Sequence, residues 1–345
     1  MDKKMNILLL AGGESAERDV SLHSSWAIYN SLLRLRHEVE VFDPAIGSFL
    51  QPGDGEFMSV GEPPPDKNLK QLAWQFEPKS EKFSRFDLVF IGLHGGLGEN
   101  GSVQNLLDMV PIPYTGSGMV ASVIAMNKDI SKHMMKSVDI PTPSWSCYKM
   151  DGSRSSAEIA DEVMQIFDLP LIVKPASGGS TVGLTKVINW NELPGAIDLS
   201  GSEDSQVLIE TFIEGREITA SVLDGEALPL VEIIPKDGLY DYQSKYTAGR
   251  SSYIVPAGID DGLARKIRAA ASSFYRLIGA SGAARIDFRL AEGGMFYCLE
   301  LNTLPGMTEL SLVPMAAKAV GMSFDDLMNR ILDSAVIEKQ VTWAS

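Results

Sequence analysis

The stretch from Ala283 to Ser311 reads AARIDFRL, AEGG, MFYCLELNTLPGMTELS, and it concentrates residues able to do chemistry. Asp287, Glu300 and the amide of Asn302 form an all-oxygen donor set. Mg²⁺ prefers such sets and usually completes its shell with oxygens of a substrate phosphate. Arg285 and Arg289 alternate with Asp287 along the same run, so the rival reading is a row of salt bridges on a solvated sheet face. On these side chains alone the two readings weigh equally. The loop Asn302-Thr-Leu-Pro-Gly-Met-Thr favours a site, because Gly306 frees a backbone N–H where a reacting oxyanion could be held.

Other clusters carry weaker signals. Ala176-Ser-Gly-Gly-Ser180-Thr181-Val-Gly183 is small and glycine-rich, so its backbone N–H groups can converge on an anion. It is not the common lysine-ended phosphate loop, since Lys174 precedes the glycines and no helix signal follows. Alone it reads as a hairpin tip; with Lys174 on the preceding strand it reads as a mobile cover for phosphate. Lys128 is either solvated or a nucleotide contact. Glu210 and Glu217 sit on consecutive strands. Glu17 and Ser21 follow the first strand, where Ser15 or Glu17 as a helix cap is the favoured reading. His94 and Glu99 flank a second glycine-rich loop, as a structural histidine and a helix cap or as parts of a shared pocket, which their placement favours. Lys245-Tyr246 lies in a long polar, aromatic loop that demands either function or disorder.

The elements that must position these groups can be read from periodicity. Met5–Ala11 is a buried strand, followed by a helix with Leu22, Trp26, Tyr29 and Leu33 on one face and a strand at Val39–Phe42. That order predicts a doubly wound parallel sheet, with ligands off the carboxyl ends of its strands. Residues 44–86 read as a surface excursion with one short helix near Leu69–Trp74, and Asp87–Leu93 as a third strand. Met119, Val123, Met126, Ile130 and Met134 form a helical stripe expected to be core. Residues 151–167 and 261–278 read as helices, 206–213, 216–222 and 228–234 as strands, and 283–302 as a hairpin.

Composition sets outer bounds. A chain of 345 residues should form two or three domains, and a net charge of −15 argues against general nucleic-acid binding. The two isolated cysteines, Cys147 and Cys298, have no metal or redox spacing, which fits a reducing cytoplasm. The basic, briefly apolar N-terminus ends in a glycine turn, so no export is expected, and no apolar run approaches the ~20 residues of a membrane span.

Taken together, GGESAERDVS, HGGLGENGSVQ, PYTGSGMVAS, KPASGGSTVG, EGREIT, YDYQSKYTAG, ARIDFR and ELNTLPGMTELSLVP closely resemble the D-alanine–D-alanine ligases of the ATP-grasp superfamily over nearly the whole chain. The resemblance implies an α/β fold, α+β in its ATP-grasp part: an N-terminal doubly wound sheet domain (1–118), then a two-domain ATP-grasp unit cut at 119–213 and 214–345. It implies ATP and two Mg²⁺ (Mn²⁺ as substitute), D-alanine as substrate, a homodimer and a cytoplasmic location. By resemblance, Lys128, Lys174 and the flap residues Ser180 and Thr181 contact phosphates, and Lys245 approaches the γ-phosphate. Glu210 and Thr211, Phe212 and Ile213 meet the adenine, and Glu217 the ribose. Asp287, Glu300 and Asn302 hold the metals, while Arg285 and the Gly306 N–H stabilise an oxyanion. Glu17 binds the first substrate's ammonium in a set with Ser180 and Tyr246. His94, supported by Glu99, lies near its carboxylate, and Ser311 with Leu312 grips the second substrate.

Tyr246 points to capture of an amine rather than D-lactate. Against the resemblance, Asn100, Asn105 and Asn127 replace the family's usual Asp, Gly and Asp, and the flap reads Gly-Gly-Ser-Thr rather than the commoner Gly-Ser-Ser run. The alternatives are an ATP-grasp ligase taking D-lactate or D-serine second, and a non-catalytic binding module.

Overall fold

A computed structural model describes residues 4–53, 56–59, 77–179, 182–235, 251–308 and 311–342. Its strands are β1 (Asn6–Leu10), β2 (Glu38–Asp43), β3 (Ser48–Pro52), β4 (Phe57–Ser59), β5 (Leu88–Ile91), β6 (Trp145–Lys149), β7 (Leu171–Pro175), β8 (Thr185–Val187), β9 (Gln206–Thr211), β10 (Arg216–Leu223), β11 (Glu226–Ala227), β12 (Val231–Pro235), β13 (Ser251–Ile254), β14 (Ala283–Leu290) and β15 (Phe296–Asn302). The helices are α1 (Arg18–Arg34), α2 (Gly96–Glu99), α3 (Ser102–Asp108), α4 (Met119–Met126), α5 (Lys128–Ser137), α6 (Ser156–Ile166), α7 (Leu193–Glu203), α8 (Asp261–Leu277), α9 (Leu312–Lys318) and α10 (Phe324–Thr342).

Three sheets result. The first runs β4-β3-β2-β1-β5. Only β2, β1 and β5 are parallel; β3 and β4 add antiparallel strands. The expected surface excursion after Pro44 therefore begins as sheet, because Phe49 and Leu50 have apolar neighbours to pack against. The short helix expected near 69–74 lies outside the described residues. Alternation along β1 sends Ile7 and Leu9 to one core and Leu8 and Leu10 to the other.

The second sheet, β6-β9-β7-β8, is backed by α6 and α7. The helix expected over 151–167 begins only at Ser156, where Ser155 forms a capping box with Glu158. The third sheet, β13-β12-β10-β14-β15, packs on α8 through Ile267, Ala271 and Phe274.

Two expected faces are corrected. On α1 the buried residues are Val20, Ser21, Ser24, Ser25, Ile28, Ser31 and Leu32, while Leu33 is exposed. Small hydroxyls let this helix approach the strand ends closely: Ser21 Oγ donates to Gly92 O at 2.7 Å and accepts from Gly12 N–H at 2.9 Å. The methionine stripe is likewise not the core. The chain breaks at Asn127, whose side chain caps α5, so Val123 and Ile130 are exposed and Ala121, Ala125 and Met135 are buried against the third sheet.

The first loop is held by Asp43, which is fully buried, accepts from Gly13 N–H at 3.1 Å and Ala45 N–H at 2.9 Å, and pairs with Arg18. Gly12 has φ +82°, and a Cβ there would collide with the Asp43 carboxylate. Asp43→Ala strands Arg18 and two N–H donors and should lower stability by about 3 kcal/mol in urea unfolding, whereas a loss below about 1 kcal/mol would show that this loop holds without it.

Candidate active site

Strands β7 and β9 of the second sheet and the β14–β15 hairpin of the third face each other across a cleft of about 1010 Å³. Every described residue that the resemblance assigns to a nucleotide lines it: Lys128, Lys174, Glu210, Thr211, Phe212, Ile213 and Glu217. Ser180, Thr181, Lys245 and Tyr246 lie outside the described residues.

The polar wall is made by the hairpin. Asp287 stands directly opposite Glu300, and Arg285 opposite Asn302. A bulge after Asp287 makes Leu299 the extra residue, so Leu299 and Glu300 both reach the cleft. Asp287 is buried rather than solvated, and it accepts from Thr219 Oγ1 at 2.7 Å. Arg285 grips it with two prongs, Nε to Oδ1 at 3.0 Å and a terminal nitrogen to Oδ2 at 2.9 Å. Glu300 lies 3.4 Å from Lys128 Nζ, and Glu217 3.5 Å from Arg289. Of the salt bridges considered from sequence, Asp287–Arg285 exists, inside a cleft rather than on a solvated face, while Glu300 stands beside Lys128 and Arg289 beside Glu217.

Among the described residues no three His, Cys, Asp or Glu form a group that could hold a metal ion by themselves. The oxygen set is two carboxylates and the Asn302 amide, whose Oδ1 also accepts from Leu304 N–H at 3.0 Å. Such a set fits Mg²⁺ that draws its remaining ligands from phosphate and water.

A second cavity of about 510 Å³ adjoins the cleft and shares Lys128, Gly178, Gly179 and Glu300 with it. Its own wall includes Glu17, Glu99, Met126, Arg285 and Asn302. Glu17 occupies the N-cap position of α1, yet its side chain makes no capping bond; of the two residues offered as a cap, it is Ser15 whose Oγ accepts from the Glu17 N–H, at 3.1 Å. The Glu17 carboxylate instead lies against the glycine loops. Gly95 has φ +63°, and a Cβ there would fall 2.9 Å from Glu17 Oε2. Lys128 Nζ donates to Gly178 O at 2.7 Å, tying the base of the glycine-rich flap to the hairpin side.

His94 sits behind this wall. Its ring nitrogens reach Leu304 O at 2.8 Å and Ser24 Oγ at 3.2 Å, and it borders a separate cavity of about 360 Å³. Gly306, Ser311 and Leu312 cluster at the start of α9, where Ser311 Oγ accepts from Thr308 N–H at 3.0 Å; none of the three lines either large cavity.

Two residues escaped sequence reasoning. Thr219 orients Asp287, and Lys132 is fully enclosed beside Glu210. Their signals were present: Thr219 falls two positions after Glu217 on one strand face, and Lys132 one helical turn after Lys128.

Burial lifts the Glu99 carboxyl above the ordinary glutamate value; His94, 3.7 Å away, pulls the other way, and the Glu17 charge adds to the rise. A raised folded-state value means that the native chain holds this proton longer than the unfolded one. Stability from this group is therefore lost as pH climbs from 4.5 through the raised value. Glu99→Gln should gain stability over the native chain at neutral pH but not at pH near 4, as read by unfolding at both. Equal differences at the two pH values would contradict it.

Comparison with known proteins agrees with this geometry. Residues 6–117 match the family model described as D-ala D-ala ligase N-terminus, and residues 134–333 that of the C-terminus. The D-alanine–D-alanine ligase of Syntrophotalea carbinolica is 41% identical over 98% of this chain and 98% of its own, and that of Nitrosomonas europaea is 42% identical over 95% and 96%. The crystal structure of the Bacillus anthracis D-alanine–D-alanine ligase complexed with ATP is 28% identical, covers 98% of this chain and 99% of its own, and superposes with a TM-score of 0.76. The VanG D-Ala:D-Ser ligase of Enterococcus faecalis is 27% identical, with TM-score 0.77 over 96% and 100% of the two chains. With both family models matched and full-length relatives near two-fifths identity, the chain belongs to the D-alanine–D-alanine ligase family.

Proposed function

We propose that the chain joins two D-alanine molecules into D-alanyl-D-alanine, converting ATP to ADP and phosphate. One observation carries this most: a cleft with two lysines and an oxygen-lined hairpin opens directly into a cavity walled by Glu17 and Arg285. A polyphosphate and an amino acid can lie side by side there, with Lys128 and Glu300 common to both spaces.

Lys128 and Lys174 neutralise phosphate charge, while Glu210, the 211–213 strand and Glu217 receive the base and ribose. Asp287, Glu300 and Asn302 would hold two Mg²⁺, or Mn²⁺, which when bound offset charge on the phosphates. Glu17 holds the ammonium of the first D-alanine, with Ser180 and Tyr246 completing that set. The carboxylate oxygen of that first D-alanine then attacks the γ-phosphorus, the bond to ADP breaks, and an acyl phosphate of D-alanine forms. The amine of a second D-alanine, held near Ser311 and Leu312, attacks the acyl carbon. The oxyanion develops beside Arg285 and the Gly306 N–H, and phosphate leaves as the peptide bond forms. His94, supported by Glu99, lies near the first D-alanine's carboxylate. The flap and the Lys245-Tyr246 loop exclude water from the acyl phosphate.

The proposal extends to domains cut at 118 and 213, a homodimer, a cytoplasmic location and a role in making cell-wall peptide precursors. Among the described residues no helix is long and apolar enough to cross a membrane.

The test is ADP release with D-alanine alone, against D-alanine plus D-lactate or D-serine, with products identified by mass. D-alanyl-D-alanine as the main product is expected. A preferred ester or D-alanyl-D-serine product would overturn the substrate assignment, and no ADP release would overturn the activity. Within the same assay, Arg285→Ala should lower turnover about 10²–10³-fold while ATP affinity shifts much less, and unchanged turnover would remove Arg285 from the oxyanion site.

A further inference from the structure

Glu210 is held by two ammonium groups, and they stand in different places. Lys174 Nζ is 2.5 Å from Oε1 and Lys132 Nζ 2.7 Å from Oε2. Lys174 and Glu210 both line the nucleotide cleft; Lys132 does not, and it is 0% exposed. Lys132 also donates to Thr142 Oγ1 at 2.8 Å and Pro143 O at 3.3 Å, so two hydrogen bonds and the ion pair with Glu210 hold its ammonium inside the protein. The Trp145 ring, centred 5.3 Å from Nζ, packs beside it. Lys132 is therefore fixed, whereas Lys174 is the ammonium that an incoming anion can reach.

A phosphate drawing on Lys174 would leave Glu210 as a buried carboxylate, a state that is strongly unfavourable without another cation. We propose that Lys132 is a positioning residue for nucleotide binding: it stays with Glu210 as a permanent counter-ion and so releases Lys174 to the phosphates. Burial alone would raise the Glu210 pKa and lower that of Lys132; the paired lysines nonetheless hold Glu210 below the ordinary carboxylate value. The inference rests on the nucleotide reading of the cleft and adds a residue outside its walls.

The experiment is direct titration of the full chain with ATP and Mg²⁺, with steady-state kinetics alongside. Lys132→Met should weaken ATP binding at least tenfold and raise KM for ATP more than it lowers kcat, because Lys174 is then the sole counter-ion of Glu210. Adding Glu210→Gln to Lys132→Met removes the stranded charge and should restore ATP affinity at least fivefold over the single variant. A packing role for Lys132 predicts no such rescue. ATP affinity within twofold of the native chain in Lys132→Met, or a double variant no tighter than the single, overturns the proposal while leaving the nucleotide cleft intact. Should Lys132→Met not fold, the double variant is compared with Glu210→Gln alone, in which no carboxylate is left to be stranded: ATP affinity within about threefold of Glu210→Gln supports the role, and a further loss beyond tenfold overturns it. Failure of the native chain to bind ATP sinks both the cleft assignment and this inference.

Discussion

Charge placed in a cleft must be matched, and along the larger cleft this chain sets cations against its carboxylates. Asp287 is gripped by Arg285, Glu300 by Lys128, and Glu210 by Lys174 and Lys132. Buried ion pairs contribute little net stability, because desolvation offsets the attraction. Their use here is geometric. Polyphosphate with metal ions brings both signs of charge, so cations can turn from carboxylate to phosphate while carboxylates turn from lysine to metal, without any group losing its partner.

The fold fixes where those groups meet. The hairpin register sets Asp287 against Glu300, and the bulge after Asp287 turns Glu300 toward the nucleotide space. Packing fixes the second space: Ile28 and Leu32 of α1 share one core with Val313 of α9 and with Leu327 and Ile331 of α10. Glu17, at the start of α1, is thereby held in register with the hairpin and the Gly306 loop, although some 270 residues separate them in sequence. Met307 N–H donates to Ser24 Oγ at 3.3 Å, a direct tie between the two parts.

Much of this was legible in the residues. The hairpin, its alternation and the helix α8 follow from period and turn chemistry alone, and the ordered motifs supplied the family. What escaped did so for physical reasons. The Met119–Met134 stripe assumes one continuous helix, but Asn127 caps a new one and rotates everything after it. The α1 stripe assumes that apolar residues mark the buried face. Here close approach to glycine loops selects serines instead: Ser21 and Ser25 reach Gly92 O, Ser24 meets His94 and Met307 N–H, and Ser31 donates to Asp325. The cap reading held for Ser15 and not for Glu17, whose carboxylate lies beside Gly95 and Gly179 instead. Lys132 carried only its spacing, one helical turn after Lys128, and a lysine so placed reads as surface until a buried partner such as Glu210 is known.

The account depends on oxygen groups of the hairpin receiving metal-bound phosphate. Crystals soaked with Mg²⁺ and a non-hydrolysable ATP analogue test this directly. The expected result is metal density at Asp287, Glu300 and Asn302, with phosphates reaching Lys128 and Lys174. Phosphates bound with those three side chains turned away from any metal would contradict it.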